Sequence, residues 1–122
     1  MKEINKAINI NDKQIPFTDL ILDGIKTIET RQSNSLKSLI GQRIGIIRTG
    51  CGKAMLVGYV TITNVVIYDE TNFRADYPRH LVKKGSKYDI HTGGIKYGYI
   101  LSDPERCNPI PITSKGIVIR NI

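Results

Sequence analysis

The chain has 122 residues, and its 18 lysines and arginines outnumber its 11 aspartates and glutamates to give a net charge of +7. A chain of this length can bury a core of its own, so we expect residues 1–122 to form a single domain. No apolar run approaches the ~18 residues of a membrane span, and residues 1–10 lack an apolar signal core. We therefore expect a cytoplasmic protein without a membrane partner, and the positive charge favours a polyanionic one.

Cysteine and histidine are too sparse to indicate redox or metal chemistry. Cys51 and Cys107 lie far apart with no CxxC spacing, which favours two idle thiols over a disulfide or a metal pair. His80 and His91 are isolated from each other and from both cysteines, so surface or hydrogen-bonded core histidines are favoured over zinc ligands. We predict neither a metal site nor a cofactor.

The first predicted element is a short, well buried helix over residues 16–24. Thr18 is placed to cap its N-terminus, and Asp19 suits the positive end of the helix dipole. Gly24 is placed to end the helix in a left-handed conformation. The chain is therefore expected to turn sharply at that glycine.

The middle of the chain reads as strands. Residues 43–48 predict a buried strand that ends in a glycine-rich turn at 49–53. Residues 55–68 are rich in β-branched and aromatic side chains and give the longest strand signal in the sequence. Gly58 lies inside that run, where we expect a bulge or a bend.

The last third mixes loops and strands. Residues 69–85 contain Pro78 among helix formers, which predicts a loop with one or two helical turns. Strands are predicted over 97–102 and 116–122. Between them, residues 103–112 carry three prolines that exclude regular ladder pairing, so we expect a loop there. Many short strands with few helices predict a mainly β fold with short helices (α+β), arranged as a small barrel.

The stretch "GIKTIETR" at residues 24–31 places three charges where the first helix gives way to a strand. In a strand, Glu29 and Arg31 share a face, whereas Lys26 and Glu29 do so only if the chain is still turning after Gly24. One interpretation is an exposed ion pair worth less than ~1 kcal/mol. The other is the lip of a binding site.

The same stretch also carries a family resemblance. "DLILDGIKTIETR" resembles the opening signature of the ASCH domain, whose positions here are Gly24, Lys26, Thr27, Ile28, Glu29 and Arg31. The stretches "VGYV" at 57–60 and "YGYILSDPERCNPIPI" at 97–112 are similar to later blocks of that family, in the same order. The resemblance implies a PUA-like fold, which is a small pseudo-barrel.

The resemblance also implies a function. ASCH proteins are thought to bind RNA or nucleotides, including modified nucleosides, in a cleft lined here by Lys26, Glu29 and Arg31. Some members are hydrolases: one group consists of amidohydrolases on acetylated cytidine, and a ribonuclease activity is attributed to another. The amidohydrolases use a lysine and, three residues on, a threonine; Lys26 matches the lysine, but Glu29 stands in place of the threonine.

We therefore favour an RNA- or nucleotide-binding protein over a hydrolase. In a hydrolase, Lys26 and Glu29 would be catalytic. A distant acidic residue would complete such a site, and three side chains lie in the right region: Asp69, Glu70 and Asp76.

Two further stretches are candidate ligand contacts. Lys96 and Tyr97 lie among glycines, where a nucleotide could approach the backbone and stack, although Tyr97 and Tyr99 could equally face the core. The sequence between residues 74 and 87 contains five cationic side chains but a single acidic one, Asp76. The cations are Arg74, Arg79, Lys83, Lys84 and Lys87. This run is either a solvated loop or a patch that follows an RNA backbone.

Overall fold

The described part of the chain folds into one six-stranded sheet with three short helices. It is seen in a computed structural model that describes residues 3–116 and 118–122. The strands are β1 Lys6–Asn11, β2 Ile28–Arg31, β3 Arg43–Thr49, β4 Met55–Tyr68, β5 Lys96–Pro111 and β6 Ile119–Asn121. The helices are α1 Phe17–Leu22, α2 Glu70–Ala75 and α3 Tyr77–His80, with a 3-10 turn at Lys37–Leu39. The strand order is β2-β5-β4-β3-β1-β6, and every neighbouring pair is antiparallel except β1 with β3.

Helix α1 lies inside the predicted helix 16–24, but its cap differs from the prediction. Thr18 is not the N-cap; it is buried in the first turn. The buried Asp12 carboxylate accepts from the Thr18 backbone N–H at 3.0 Å and from its hydroxyl. A side chain from the preceding loop thus satisfies the helix start. Gly24 has a φ of 75°, which confirms the left-handed turn.

Strands β3 and β4 confirm the predictions for 43–48 and 55–68 and form a hairpin across the glycine-rich turn. Gly58 lies at register shifts with both neighbouring strands, as expected of a bulge. A Cβ at this position would lie 2.4 Å from the carbonyl oxygen of Glu105. The glycine is therefore required by the close approach of β5.

Strand β5 corrects the loop predicted for 103–112, because the strand continues to Pro111. Pro104 and Pro109 each fall in a register shift with β4, where the missing N–H breaks no ladder bond, and Pro111 ends the strand. In addition, β2 pairs with β5 only over residues 97–100. The proline-containing half therefore has one strand neighbour, which is the edge position where proline is tolerated.

The segment after β4 contains two short helices, which confirms the prediction for 69–85. The last strand, β6, lies within the predicted 116–122, of which Ile117 lies outside the described residues. Strand β1 and the 3-10 turn were not predicted. Within the described part of the chain, no helix is long and apolar enough to cross a membrane.

Most of the buried apolar residues belong to two clusters. The larger one lies between α1 and the sheet, around Ile21, Ile46 and Tyr99. The smaller one lies under α2 and α3, around Phe73 and Tyr68. Ile28, the first residue of β2, belongs to the smaller cluster.

Candidate functional site

A cavity of about 170 Å³ lies where the two clusters meet, since Phe17 of the larger cluster and Val82 of the smaller one both line it. Its charged lining consists of Lys26, Glu29 and Arg31. The remaining lining comes from β1, from the end of β3 and from the segments around β2 and Tyr88: Asn9, Ile10, Asn11, Thr30, Thr49 and Tyr88. The three charged residues of the "GIKTIETR" stretch therefore share one concave surface.

The backbone after Gly24 explains this convergence. The N–H groups of Ile25 and Lys26 both donate to the carbonyl of Leu20 at 2.9 Å, so the chain is still turning before β2 begins at Ile28. Lys26 and Glu29 consequently face the same side, with 3.9 Å between Nζ and Oε1. The sequence predicted that Lys26 and Glu29 would share a face only if the chain were still turning after Gly24, and the structure meets that condition.

The Lys26 side chain is only 1% exposed, although it ends beside the cavity. Its Nζ donates to the backbone carbonyl of His80 and lies 4.8 Å from the ring centroid of Phe17. Burial lowers the pKa of Lys26 to about 8; the neighbouring Glu29 opposes this shift, whereas Lys96 and Arg31 add to it. Burial therefore makes this lysine easier to deprotonate than a lysine in water.

Glu29 and Arg31 form an ion pair across the same surface. The Arg31 Nη2 lies 3.0 Å from Glu29 Oε2 and donates to the backbone carbonyl of Asn9 at 2.8 Å. The side chains are 12% and 19% exposed, respectively, so the pair is largely buried rather than on the open surface. Arg31 thereby links β2 to β1 at the wall of the cavity.

Lys96 lies behind the cavity and is not one of its lining residues, unlike Lys26. It is 3% exposed, and its Nζ donates to the backbone carbonyl of Tyr88. Burial lowers the pKa of Lys96, and Glu29 and Asp89 oppose this shift. Lys96 therefore fixes the backbone of a lining residue and contributes its charge at short range.

The two tyrosines of the same strand face the core. Tyr99 is fully buried, and its hydroxyl donates to Asn34 Oδ1 at 2.6 Å. Tyr97 is partly buried against the larger cluster, opposite Arg31 in the β2–β5 register, and is not among the lining residues. The aromatic ring beside the cavity is instead Tyr88.

The basic run from 74 to 87 separates into two parts. Arg74 donates to both oxygens of Asp89, at 2.5 and 3.1 Å, and Arg79 donates to both oxygens of Asp76, at 2.7 and 2.8 Å. Both arginines are thus held by their own carboxylates. The exposed remainder lies between Val82 and Tyr88, which both line the cavity, and consists of Lys83, Lys84 and Lys87.

The three acidic residues considered for a catalytic site have structural partners instead. Asp69 caps α2 by accepting from the N–H of Asn72 at 2.8 Å. Glu70 lies 3.8 Å from Arg74, and Asp76 accepts from the Tyr68 hydroxyl. Among the lining residues that the structure describes, Glu29 is the only acidic one. Nor does any group of three His, Cys, Asp or Glu within 3–116 and 118–122 lie close enough to hold a metal ion.

The lining residues missed by sequence reasoning come from distant parts of the chain. Asn9 and Asn11 belong to β1, whose parallel pairing with β3 sets Asn11 opposite Thr49. Phe17 opens α1, and Tyr88 follows the helical segment. No local pattern in the sequence connects these positions, because only the sheet topology brings them together.

The curled, mainly β sheet with few short helices defines a PUA-like pseudo-barrel. The sequence profile of the ASCH domain matches residues 14–110, so the chain belongs to the ASCH domain family. No curated protein sequence matches it.

The chain is also similar in fold to crystal structures of ASCH proteins from Zymomonas mobilis. A serine-to-alanine variant of ZmASCH aligns over 96% of this chain and 87% of its own, at 19% identity and a TM-score of 0.75. A tyrosine-to-phenylalanine variant aligns over 88% and 75%, at 23% identity and a TM-score of 0.71. A structure described as ASCH from the same organism aligns over 88% and 73%, at 22% identity and a TM-score of 0.70.

Proposed function

We propose that this protein binds RNA or a nucleotide, with one nucleotide unit entering the cavity beside Lys26, Glu29 and Arg31. The observation that carries the proposal is the convergence of these three buried or half-buried charges on one cavity. Its volume of about 170 Å³ is below the ~300 Å³ at which drug-sized sites begin. A single base, or a phosphate with part of its sugar, suits that space.

Each lining group has a matching role toward a nucleotide. Arg31 and Lys26 supply positive charge for phosphate, and the arginine can also donate two parallel hydrogen bonds. The Glu29 carboxylate can accept from an exocyclic amino group such as that of cytosine. Tyr88 offers an aromatic face on which a base can stack.

The exposed lysines extend the surface from one nucleotide to a strand. Lys83, Lys84 and Lys87 are exposed and lie in the segment that joins two lining residues, Val82 and Tyr88. None of the three has a carboxylate within ion-pair distance among the described residues. Such lysines are suited to contact the phosphates that flank a bound nucleotide.

The test is a titration of a labelled single-stranded RNA by fluorescence anisotropy at several salt concentrations. We expect log Kd to rise linearly with log salt, by about 0.7 for each phosphate contact. Arg31→Met should weaken binding at least about tenfold, because it removes a charge-assisted contact to phosphate. The control Arg43→Met, whose arginine pairs with Glu105 outside the cavity, should change it little. Absence of binding at low salt, or binding indifferent to salt, would refute the proposal.

A second candidate is a hydrolase that uses the same cavity, either a ribonuclease or an amidohydrolase on acetylated cytidine. It is favoured by the Lys26 pKa of about 8, which lets the amine accept a proton near neutral pH. Incubation with RNA and with acetylated cytidine, with and without magnesium or manganese, followed by product analysis, tests it. Glu29→Gln should then abolish turnover but leave binding within about tenfold, because shape and one acceptor survive. We expect weak or no release of acetate, since Glu29 stands where the amidohydrolase threonine would be.

A further inference from the structure

The charges around the cavity do not balance. Lys26, Lys96 and Arg31 surround a single carboxylate, Glu29, and both lysines are almost completely buried. The other nearby carboxylate, Asp89, is already bonded to Arg74 through both oxygens. Buried charge without a counter-charge costs several kcal/mol. Such a surplus is stabilised when an anion enters the site.

Lys26 and Arg31 both have unused hydrogen-bond donors at the cavity, since the buried Arg31 Nε has no partner among the described residues and Lys26 uses only one of its N–H groups. An ammonium group has three donors, and one of them is given to the carbonyl of His80. The Glu29 oxygen at 3.9 Å is beyond hydrogen-bond distance. No other acceptor for Lys26 occurs among the described residues, so its remaining N–H groups are available to a ligand oxygen at the wall of the cavity.

We propose that the group held against Lys26 is a phosphate monoester, the terminal phosphate of an RNA or of a nucleotide, and that its binding is accompanied by proton uptake at this lysine. This inference rests on the proposed nucleotide binding. A phosphate monoester carries about −1.5 to −2 at neutral pH, which matches the surplus of two cations, whereas an internal diester carries a single charge. A terminal group also enters a small cavity end-on, without chain continuing on both sides.

The proton uptake follows from the surroundings of Lys26. Glu29 and Arg31 face it from β2, Lys96 from β5, and His80 from α3. His80 is neutral, because its Nε2–H donates to the Phe73 carbonyl while its Nδ1 accepts from the N–H of Val82. Burial lowers the pKa of Lys26 to about 8 in the empty site, and a bound dianion would raise it again, because a nearby opposite charge favours the ammonium form. Affinity for the phosphate should fall by up to about tenfold per pH unit above pH 8.

The experiment uses one short single-stranded RNA in three forms, with a 5′-phosphate, with a 3′-phosphate, and with hydroxyls at both ends. Each form competes against the labelled RNA, and a nucleoside 5′-monophosphate is compared with its nucleoside. We expect one phosphorylated form to bind at least about tenfold more tightly than the hydroxyl form at pH 7. That preference should shrink toward unity by pH 10 and should disappear in Lys26→Met.

The controls separate this inference from the proposed function. Lys84→Ala should weaken all three forms by the same factor, because its contact is with the strand and not with the end. Equal affinity for the three forms would overturn the terminal-phosphate inference and leave RNA binding standing; binding of none would remove both. A preference that survives in a folded Lys26→Met protein, or that does not change between pH 7 and 10, would also overturn the inference. Thermal melting establishes that the variant is folded.

Discussion

Two charged regions of this molecule use the same residue types in opposite ways. Beside α2 and α3, each arginine has its own carboxylate: Arg74 is paired with Asp89 and Arg79 with Asp76, through two bonds each. Around the cavity, by contrast, Lys26 and Arg31 share the one acidic lining residue that the structure describes, Glu29, and Lys96 behind them forms no ion pair among the described residues. The number of positive charges is thus a poor guide to a binding site, because the informative quantity is how many lack a carboxylate of their own.

Folding favours the charged form of a side chain in one region and the neutral form in the other. Arg74 and two backbone N–H groups lower the pKa of Asp89 to about 2, so folding favours its charged form. Burial lowers the pKa of Lys26 to about 8, so folding favours its neutral form. The paired region beside α2 and α3 therefore contributes to stability. The buried charge at the cavity lowers stability, but it is available to bind an anionic ligand.

The largest expected effect comes from breaking the paired region. Asp89→Ala should lower the free energy of unfolding by about 3 kcal/mol at pH 7, since it leaves Arg74 and the N–H groups of Gly85 and Ile90 without their acceptor. The Asp89 pKa is depressed, so its contribution is complete above about 3.8 and is lost as the pH falls toward 2. Urea unfolding at pH 7 and at a pH near 2 measures this loss of stability. The control Glu70→Ala, 3.8 Å from the same arginine and partly exposed, should cost less than about 1 kcal/mol.

The second effect has the opposite sign and concerns the cavity. Lys26→Met should raise the free energy of unfolding at pH 7 by about 2 kcal/mol. A lysine pKa near 8 instead of 10.5 represents about 3 kcal/mol, from which roughly 1 is subtracted for the lost bond to His80. Between pH 8 and 10.5 the unfolded state binds more protons, so the wild type gains stability as the pH rises and the advantage of the variant shrinks.

Urea unfolding at pH 7 and pH 10 checks this prediction, with Lys53→Met in the exposed hairpin turn as the matched control. That substitution should change the stability by less than about 0.5 kcal/mol at either pH. A Lys26→Met protein that is less stable than the wild type at pH 7 would mean that Lys26 is stabilised by its neighbours, as Asp89 is by Arg74.

The third prediction concerns the aromatic lining. Tyr88→Leu should weaken RNA binding about tenfold, which corresponds to the loss of one stacked base, while leucine retains apolar contact with Phe17. Tyr77→Leu is the control, because Tyr77 is exposed on α3 and does not line the cavity. Anisotropy titrations at one salt concentration compare the two variants. Equal losses in both would place the base elsewhere on the surface.

Local patterns were sufficient for the parts of the fold that pair with their sequence neighbours. The hairpin of β3 and β4 and the left-handed turn at Gly24 were predicted, because alternating β-branched residues and glycine at a helix end act locally. Strand β1 was not predicted, because it pairs in parallel with β3, which lies more than thirty residues away in the sequence. The proline half of β5 was also missed, because edge pairing and register shifts depend on the neighbouring strands.

The site divides in the same manner. Lys26, Glu29 and Arg31 were grouped from one short stretch, and the turn after Gly24 brings them together. The pairing of Arg74 was not foreseen, because Asp89 lies two residues beyond the basic run that ends at 87. A run of basic residues can be recognised in a sequence, but the carboxylates that pair with them cannot, because tertiary structure brings those carboxylates close.

The smallest expected effect tests the comparison at the level of single cations. Lys84→Ala should reduce the salt dependence of RNA binding by about one phosphate contact and weaken binding about threefold at moderate salt. Arg79→Ala removes the same charge from the same basic run, yet its guanidinium is already bound to Asp76 by two hydrogen bonds. Its loss should leave the slope of log Kd against log salt unchanged. Parallel salt titrations of the two variants decide the matter: if Arg79→Ala lowers the slope as much as Lys84→Ala does, a carboxylate partner does not withdraw an arginine from phosphate binding, and the distinction between paired and surplus cations fails.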